Sequence, residues 1–182
     1  MRRDGGGLIC TAIRQDAARK LGLPFAREIL RQCAVAEKTG DIPYDPKNQS
    51  SFSLWVNHRG TFTGITDRDR ALTITGIADE VRKSLNGGGH AFSSRFRSPG
   101  HVAVLIAAEK LLSERHGQTE LSIALADMAG ITPAVTICEM LDSETGNALS
   151  KEDAKRYARD KGLVFVEGPD VLEAWDSWKE NR

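Results

Sequence analysis

The spacing of apolar and polar positions changes several times along this chain, and each change marks an element. Leu8–Ile13 is a short apolar run behind Gly5-Gly6-Gly7 and predicts a buried strand. Asp16–Leu21 predicts a helix that stops at Gly22 and Pro24. Pro24–Glu37 places Phe25, Ile29, Leu30, Cys33 and Ala36 near helical spacing. Gly40–Ser51 is dense in Gly, Pro, Asp, Asn and Ser and predicts loop. Phe52–Asn57 alternates, with Phe52, Leu54 and Val56 on one face, and predicts a strand. Asp67–Ser84 carries a stripe through Leu72, Ile74, Ile77, Ala78 and Val81, and Thr66 stands where a helix cap belongs.

Asn86–Gly89 breaks the pattern. Val102–Leu112 and Glu120–Ala129 then predict helices, the second ended by Gly130. Thr132–Glu139 is β-branched and predicts a strand. Ser150–Lys161 opens with Ser-x-x-Asp, a near match to a capping box, and ends at Gly162. Leu163–Val166 predicts a last strand and Val171–Trp178 a short helix. Strands and helices interleave, so the expected class is α+β, an α/β sandwich of one domain over residues 1–182. Strand order does not follow from the pattern.

Composition narrows the function. The 182 residues are 40% hydrophobic and 27% charged, the balance of a globular domain large enough to bury a core. Basic and acidic side chains number 25 each, so the broad positive field of a nucleic-acid binder is absent. No apolar run approaches the ~20 residues of a membrane span. Cys10, Cys33 and Cys138 have neither zinc-site nor disulfide-frame spacing and read as reduced thiols of a cytoplasmic protein.

Chemistry-bearing groups gather in a few places. Asn57-His58-Arg59 and Thr61-Phe62-Thr63-Gly64-Ile65-Thr66 precede a helix. They read either as an anion cradle of amides and hydroxyls or as a plain capped turn. Arg97-Ser98-Pro99-Gly100-His101 reads as a rigid turn that presents an imidazole. Arg115-His116-Gly117-Gln118-Thr119-Glu120 offers a guanidinium and a hydroxyl to a phosphate, with His116 and Gln118 as metal or substrate contacts. Ile137-Cys138-Glu139 ends an apolar run on a lone carboxylate, which a buried salt bridge or a functional cleft would explain.

Five stretches, in order, carry a resemblance: Asp4-Gly-Gly-Gly-Leu-Ile-Cys, Phe62-Thr-Gly-Ile-Thr-Asp, Phe96-Arg-Ser-Pro-Gly-His, Arg115-His-Gly-Gln-Thr-Glu and Ile137-Cys-Glu-Met. Together they resemble the 3,4-dihydroxy-2-butanone 4-phosphate synthases of riboflavin biosynthesis, in the archaeal style, over roughly residues 3–168. The resemblance implies a mixed β-sheet flanked by helices. It implies conversion of D-ribulose 5-phosphate to L-3,4-dihydroxy-2-butanone 4-phosphate and formate, with magnesium or alternatively manganese. It also implies a homodimer whose active sites form at the interface.

Carried over by position, His101 and Glu139 are the expected catalytic residues, and Glu139 also contacts a substrate hydroxyl. Arg115, His116, Gly117, Gln118 and Thr119 form the expected substrate loop, with Arg115 and Thr119 on the phosphate. Thr63 and Thr66 are further expected substrate contacts. Two departures stand out. Gln118 occupies the place of the family's metal-binding histidine, with His116 two positions earlier, and glutamine offers magnesium a carbonyl oxygen. The family's acidic segment, Asp-x-x-x-Arg-Glu-x-Glu-x-Asp, has no counterpart before Asp4-Gly-Gly-Gly, which predicts a missing strand and a bare sheet edge. The alternative reading is a non-catalytic or truncated relative that binds a sugar phosphate or serves as a dimer partner.

Overall fold

The structure is a computed structural model and describes residues 1–33, 41–42, 45–88 and 92–181. Its centre is a four-stranded mixed sheet built from β1 (Cys10–Ile13), β4 (Phe52–His58), β5 (Phe96–Ile106) and β6 (Ala134–Ile137) in the order β4-β5-β1-β6. β1 runs parallel to β5 and antiparallel to β6, and β4 runs antiparallel to β5. Among the described residues, the outer edges of β4 and β6 pair with no further strand.

Alternation along β5 builds both halves of the core. Val102, Val104 and Ile106 face α1 (Gln15–Leu21) and α3 (Asp67–Leu85) and pack with Ile13, Ala17, Ile77 and Val81. Ala103 and Leu105 face the opposite way. They pack with Leu112 and with Ile123 and Trp175 of α5 (Gln118–Met128) and α7 (Gly168–Glu180). Helices thus cover both faces of the sheet, the expected α+β sandwich with a mixed sheet. α3 begins where the sequence places it: the Asp69 amide donates to the Thr66 hydroxyl oxygen. The remaining helices are α2 (Ala26–Leu30), α4 (Phe92–Arg95) and α6 (Lys151–Asp160), the last capped by Ser150 as its Ser-x-x-Asp start predicts.

Four sequence readings are corrected. Val102–Leu112 is not a helix: it is the C-terminal half of β5 followed by a short 3-10 turn, Leu111–Ser113. A strand buried on both faces is apolar at every position, and periodicity alone cannot separate it from a buried helix. The described part of Gly40–Ser51 is not loop but a two-stranded ribbon, β2 (Asp41–Ile42) against β3 (Asp45–Gln49). Leu163–Val166 has no regular secondary structure and joins no sheet among the described residues, and its side chains are exposed. Arg97–His101 is an excursion inside β5 rather than a turn between elements: Val56 pairs Val102 while the next residue, Asn57, pairs Arg97. The Ser98–Pro99 peptide within it is cis. The later part of Pro24–Glu37, Gly40, Pro43, Tyr44 and Gly89 lie outside the described residues.

Burial predicts where truncation is felt. Ile13 is 0% exposed between β1 and α3, whereas Val164 is 89% exposed. Ile13→Ala should destabilise by about 2–5 kcal/mol in urea unfolding. Val164→Ala should change stability by no more than about 0.5 kcal/mol.

Candidate active site

Antiparallel pairing of β6 with β1 sets Cys10 opposite Ile137 and carries Glu139 back beside the glycine run. The Gly7 amide donates to the Glu139 carbonyl at 3.2 Å, and the Leu141 amide donates to the Gly5 carbonyl at 2.7 Å. A Cβ on Gly7 would lie 2.7 Å from both the carbonyl oxygen and Oε2 of Glu139, so only glycine fits there. The glycine run therefore acts as a clasp as well as a strand start. Glu139 Oε2 accepts from the Leu8 amide at 3.0 Å, and Oε1 accepts from Gln118 Nε2 at 3.1 Å. Both donors are neutral and the side chain is exposed, so the buried salt bridge entertained from sequence is not what holds it.

Glu139 opens onto a cavity of about 510 Å³ lined also by Cys10, Phe52, Arg115, Gln118 and Thr119. Thr119 sits in the first turn of α5, so the positive end of that helix faces the cavity. Arg115 donates through Nη1 to Glu120 Oε2 at 2.6 Å, and the fully buried Glu120 also accepts from the Ala108 amide. Arg115 Nε is buried without a partner. Gly117 makes this geometry feasible, because a Cβ there would come within 2.3 Å of Arg115 Nη1. Burial, with help from the charges of Glu139 and Cys138, pushes the Cys10 thiol up to about 12, which keeps it protonated and inert at neutral pH.

A second group lies at the far end of the β4–β5 pair. Phe52 lines the cavity, whereas Asn57 is five residues further along β4, roughly 15 Å away at strand rise. There the excursion of β5 presents His101. Gly100 packs against the β4 backbone, where a Cβ would lie 2.1 Å from the Val56 carbonyl carbon. The buried Asn57 accepts from the His101 amide at 2.8 Å, and its Nδ2 lies 3.1 Å from His101 Nδ1.

The neighbouring loop is an anion cradle already filled by the chain. The amides of Phe62, Thr63 and Gly64 and the Thr63 hydroxyl all donate to the Asp69 carboxylate, at 2.8–3.4 Å. Those donors, the Gly64 amide foremost, hold the Asp69 carboxyl below its ordinary value. Phe62 at the tip is 93% exposed.

The sequence-predicted residues thus fall into two groups. Arg115, Gly117, Gln118, Thr119 and Glu139 share the cavity. Its described lining includes none of His101, Thr63, Thr66 or His116. Thr63 and Thr66 serve Asp69 and the start of α3, and His116 Nε2 donates to the Leu112 carbonyl at 2.9 Å. Gln118 turns its amide nitrogen, not its oxygen, toward Glu139. Among the described residues no three His, Cys, Asp or Glu side chains converge on a metal position. Cys10 is the cavity residue that sequence reasoning left without a role, and Asn57, read there only as part of a cradle or a capped turn, is the residue that holds His101.

A family model described as 3,4-dihydroxy-2-butanone 4-phosphate synthase matches residues 1–174. The chain belongs to the 3,4-dihydroxy-2-butanone 4-phosphate synthase family. It is 56% identical over 186 aligned positions to the synthase of Methanosarcina acetivorans, covering 98% of this chain and 74% of that protein. It is likewise 56% identical to the synthase of Archaeoglobus fulgidus, with 99% and 78% covered. A solved synthase in complex with two magnesium ions superposes with a TM-score of 0.75 at 25% identity, covering 97% of this chain and 77% of that one. Family membership and the two-group geometry stand together: the motifs match, yet in one copy they do not meet.

Asp69 gives the loop a pH dependence of known sign. Its folded carboxyl titrates below the ordinary 3.8, so its contribution is complete above pH 3.8 and is lost as pH falls through the lower folded value. The Gly64 amide resonance should therefore shift with acidification below pH 3.8, and Asp69→Asn should abolish that titration in a pH series of amide NMR spectra.

Proposed function

We propose that this protein converts D-ribulose 5-phosphate to L-3,4-dihydroxy-2-butanone 4-phosphate and formate in riboflavin biosynthesis. The observation that carries the reading is Glu139, an exposed carboxylate held by two neutral donors in a cavity beside Arg115 and the N-terminus of α5. In this reading the phosphate sits at Thr119 and the unpartnered Arg115 Nε, where the helix end and a guanidinium both favour an anion. Glu139 takes and returns protons at the sugar carbons and its orientation is fixed by Leu8 and Gln118. The five-carbon phosphate leaves as a four-carbon phosphate and formate, and the atoms balance without a further reactant.

Magnesium fits this cavity only in part. Magnesium is commonly held by one or two carboxylates together with water and substrate oxygens, and Glu139 is one such carboxylate. When bound, the ion would polarise substrate carbonyl and hydroxyl oxygens. With its amide nitrogen against Glu139, Gln118 is not a ligand in this geometry.

His101 belongs to the same active site when two copies associate. The distance between the two groups, the solvent-facing Phe62 on the loop that Asn57 contacts through Thr63, and the lone carboxylate at Glu139 support a homodimer whose sites combine residues of both subunits. A second reading, a non-catalytic relative that binds the sugar phosphate, is favoured by Gln118, which donates to Glu139 at the position where the resemblance implies a metal ligand.

Formate release from ribulose 5-phosphate with magnesium separates these readings. Glu139→Gln should lower kcat by at least about 100-fold while the melting temperature stays near that of the unsubstituted protein. Substrate binding by calorimetry without any formate would establish the non-catalytic reading. Mixing inactive Glu139→Gln and His101→Ala dimers and allowing exchange should restore about a quarter of full activity, because half the dimers are mixed and each has one intact composite site. No recovery after verified exchange would rule out the shared site.

A further inference from the structure

We propose that Asn57 is a positioning residue that fixes the neutral His101 ring as the tautomer with its proton on Nε2. The inference rests on the reading of His101 as an active-site group, and its own observable does not depend on turnover. Asn57 is 5% exposed on β4, directly beneath the excursion of β5. Two backbone groups fix its amide orientation. The His101 N–H needs an acceptor and has Asn57 Oδ1 at 2.8 Å. The Thr63 carbonyl accepts from Asn57 Nδ2 at 3.4 Å. A flipped amide would set N–H against N–H on one side and oxygen against oxygen on the other.

With the amide so oriented, the second Nδ2 hydrogen is available to His101 Nδ1, 3.1 Å away. A proton on Nδ1 would face that hydrogen. Its only alternative acceptor there among the described residues is Asn57 Oδ1, at the longer distance of 3.3 Å and already engaged by the His101 amide. The arrangement with every hydrogen placed is therefore an unprotonated Nδ1 accepting from Asn57. That leaves the ring N–H on Nε2, the nitrogen not gripped by Asn57. The site has no slack: Gly64 has φ of +91°, and a Cβ on it would fall 2.1 Å from Asn57 Nδ2. A neutral imidazole held this way presents a fixed Nε2–H, a hydrogen-bond donor to a substrate oxygen that polarises a hydroxyl or carbonyl without itself giving up the proton.

The test is ¹⁵N NMR of histidine rings in the full chain at a pH where the ring is neutral. The sequence has four histidines, and a His101→Gln spectrum assigns the signal. The unsubstituted protein should show Nε2 protonated and Nδ1 as the acceptor. Asn57→Asp keeps an acceptor for the His101 amide but removes the donor to Nδ1, so the ring proton should move to Nδ1. Finding Nδ1 protonated in the unsubstituted protein overturns the proposal, even if no variant folds. So does an unchanged tautomer in a folded Asn57→Asp. In the formate assay, Asn57→Asp should lower kcat about 10- to 100-fold with KM within about 3-fold. An unaltered kcat beside a moved proton would refute the tautomer's part in catalysis. A silent unsubstituted enzyme would instead remove the ribulose 5-phosphate reading and leave the tautomer result standing.

Discussion

Burial of β5 on both faces is the constraint from which the rest of this molecule is arranged. The C-terminal half of the strand, Val102–Ile106, holds β4 on one side and β1 on the other, and its alternating side chains floor two separate cores. A helix layer is needed on each face because neither set of side chains can be left in water. Both functional groups are referred to this strand. Leu105, near one end, borders the cavity, and His101 leaves the strand at the excursion opposite Val56 and Asn57. The excursion costs β5 four residues of pairing with β4. Gly100, pressed against the neighbouring backbone, makes that detour narrow enough to fit.

The charges are handled differently at the two ends. At the cavity, Glu120 is wholly buried and takes its compensation from Arg115 and the Ala108 amide, which spends one edge of the guanidinium on structure. Glu139 is left without a cationic partner and is held by amides alone, so its charge remains open to a substrate. At the other end Asp69 satisfies three consecutive backbone amides that would otherwise attract an external anion. One carboxylate is thus consumed by the fold within each group, and Glu139 is the one kept for chemistry.

Much of this was legible in the sequence where a local signal had a local cause. Thr66 and Ser150 cap the helices they precede because a hydroxyl three residues before a free amide needs nothing from the rest of the chain. The motif residues Arg115, Gly117, Gln118, Thr119 and Glu139, distant from one another only by a helix and a strand, line one cavity. What was not legible depends on partners distant in sequence. Val102–Ala107 is uniformly apolar because it has a core on each side, and nothing within the run reveals that. The ribbon at Asp45–Gln49 is polar in composition and becomes a strand through its pairing with Asp41 and Ile42. Asn57 is an ordinary polar residue at the end of a strand until β5 folds back over it with His101, 44 positions later. Leu163–Val166 carries strand-like residues without a neighbouring strand among those described, and propensity alone does not supply one.

That last segment has a consequence for handling the protein. Leu163, Val164, Phe165 and Val166 form a short, uncharged, β-prone run exposed to solvent, the composition from which cross-β assembly starts. The chain sets charges around it: Lys161 before, Glu167 after, and the Lys155 ammonium 5.5 Å from the centre of the Phe165 ring. Lys155 and Glu167 are themselves ion-paired at 2.6 Å. These side chains act as gatekeepers for colloidal behaviour, so high salt or chemical blocking of lysines would leave the run unguarded and promote self-association while the folded core stays intact.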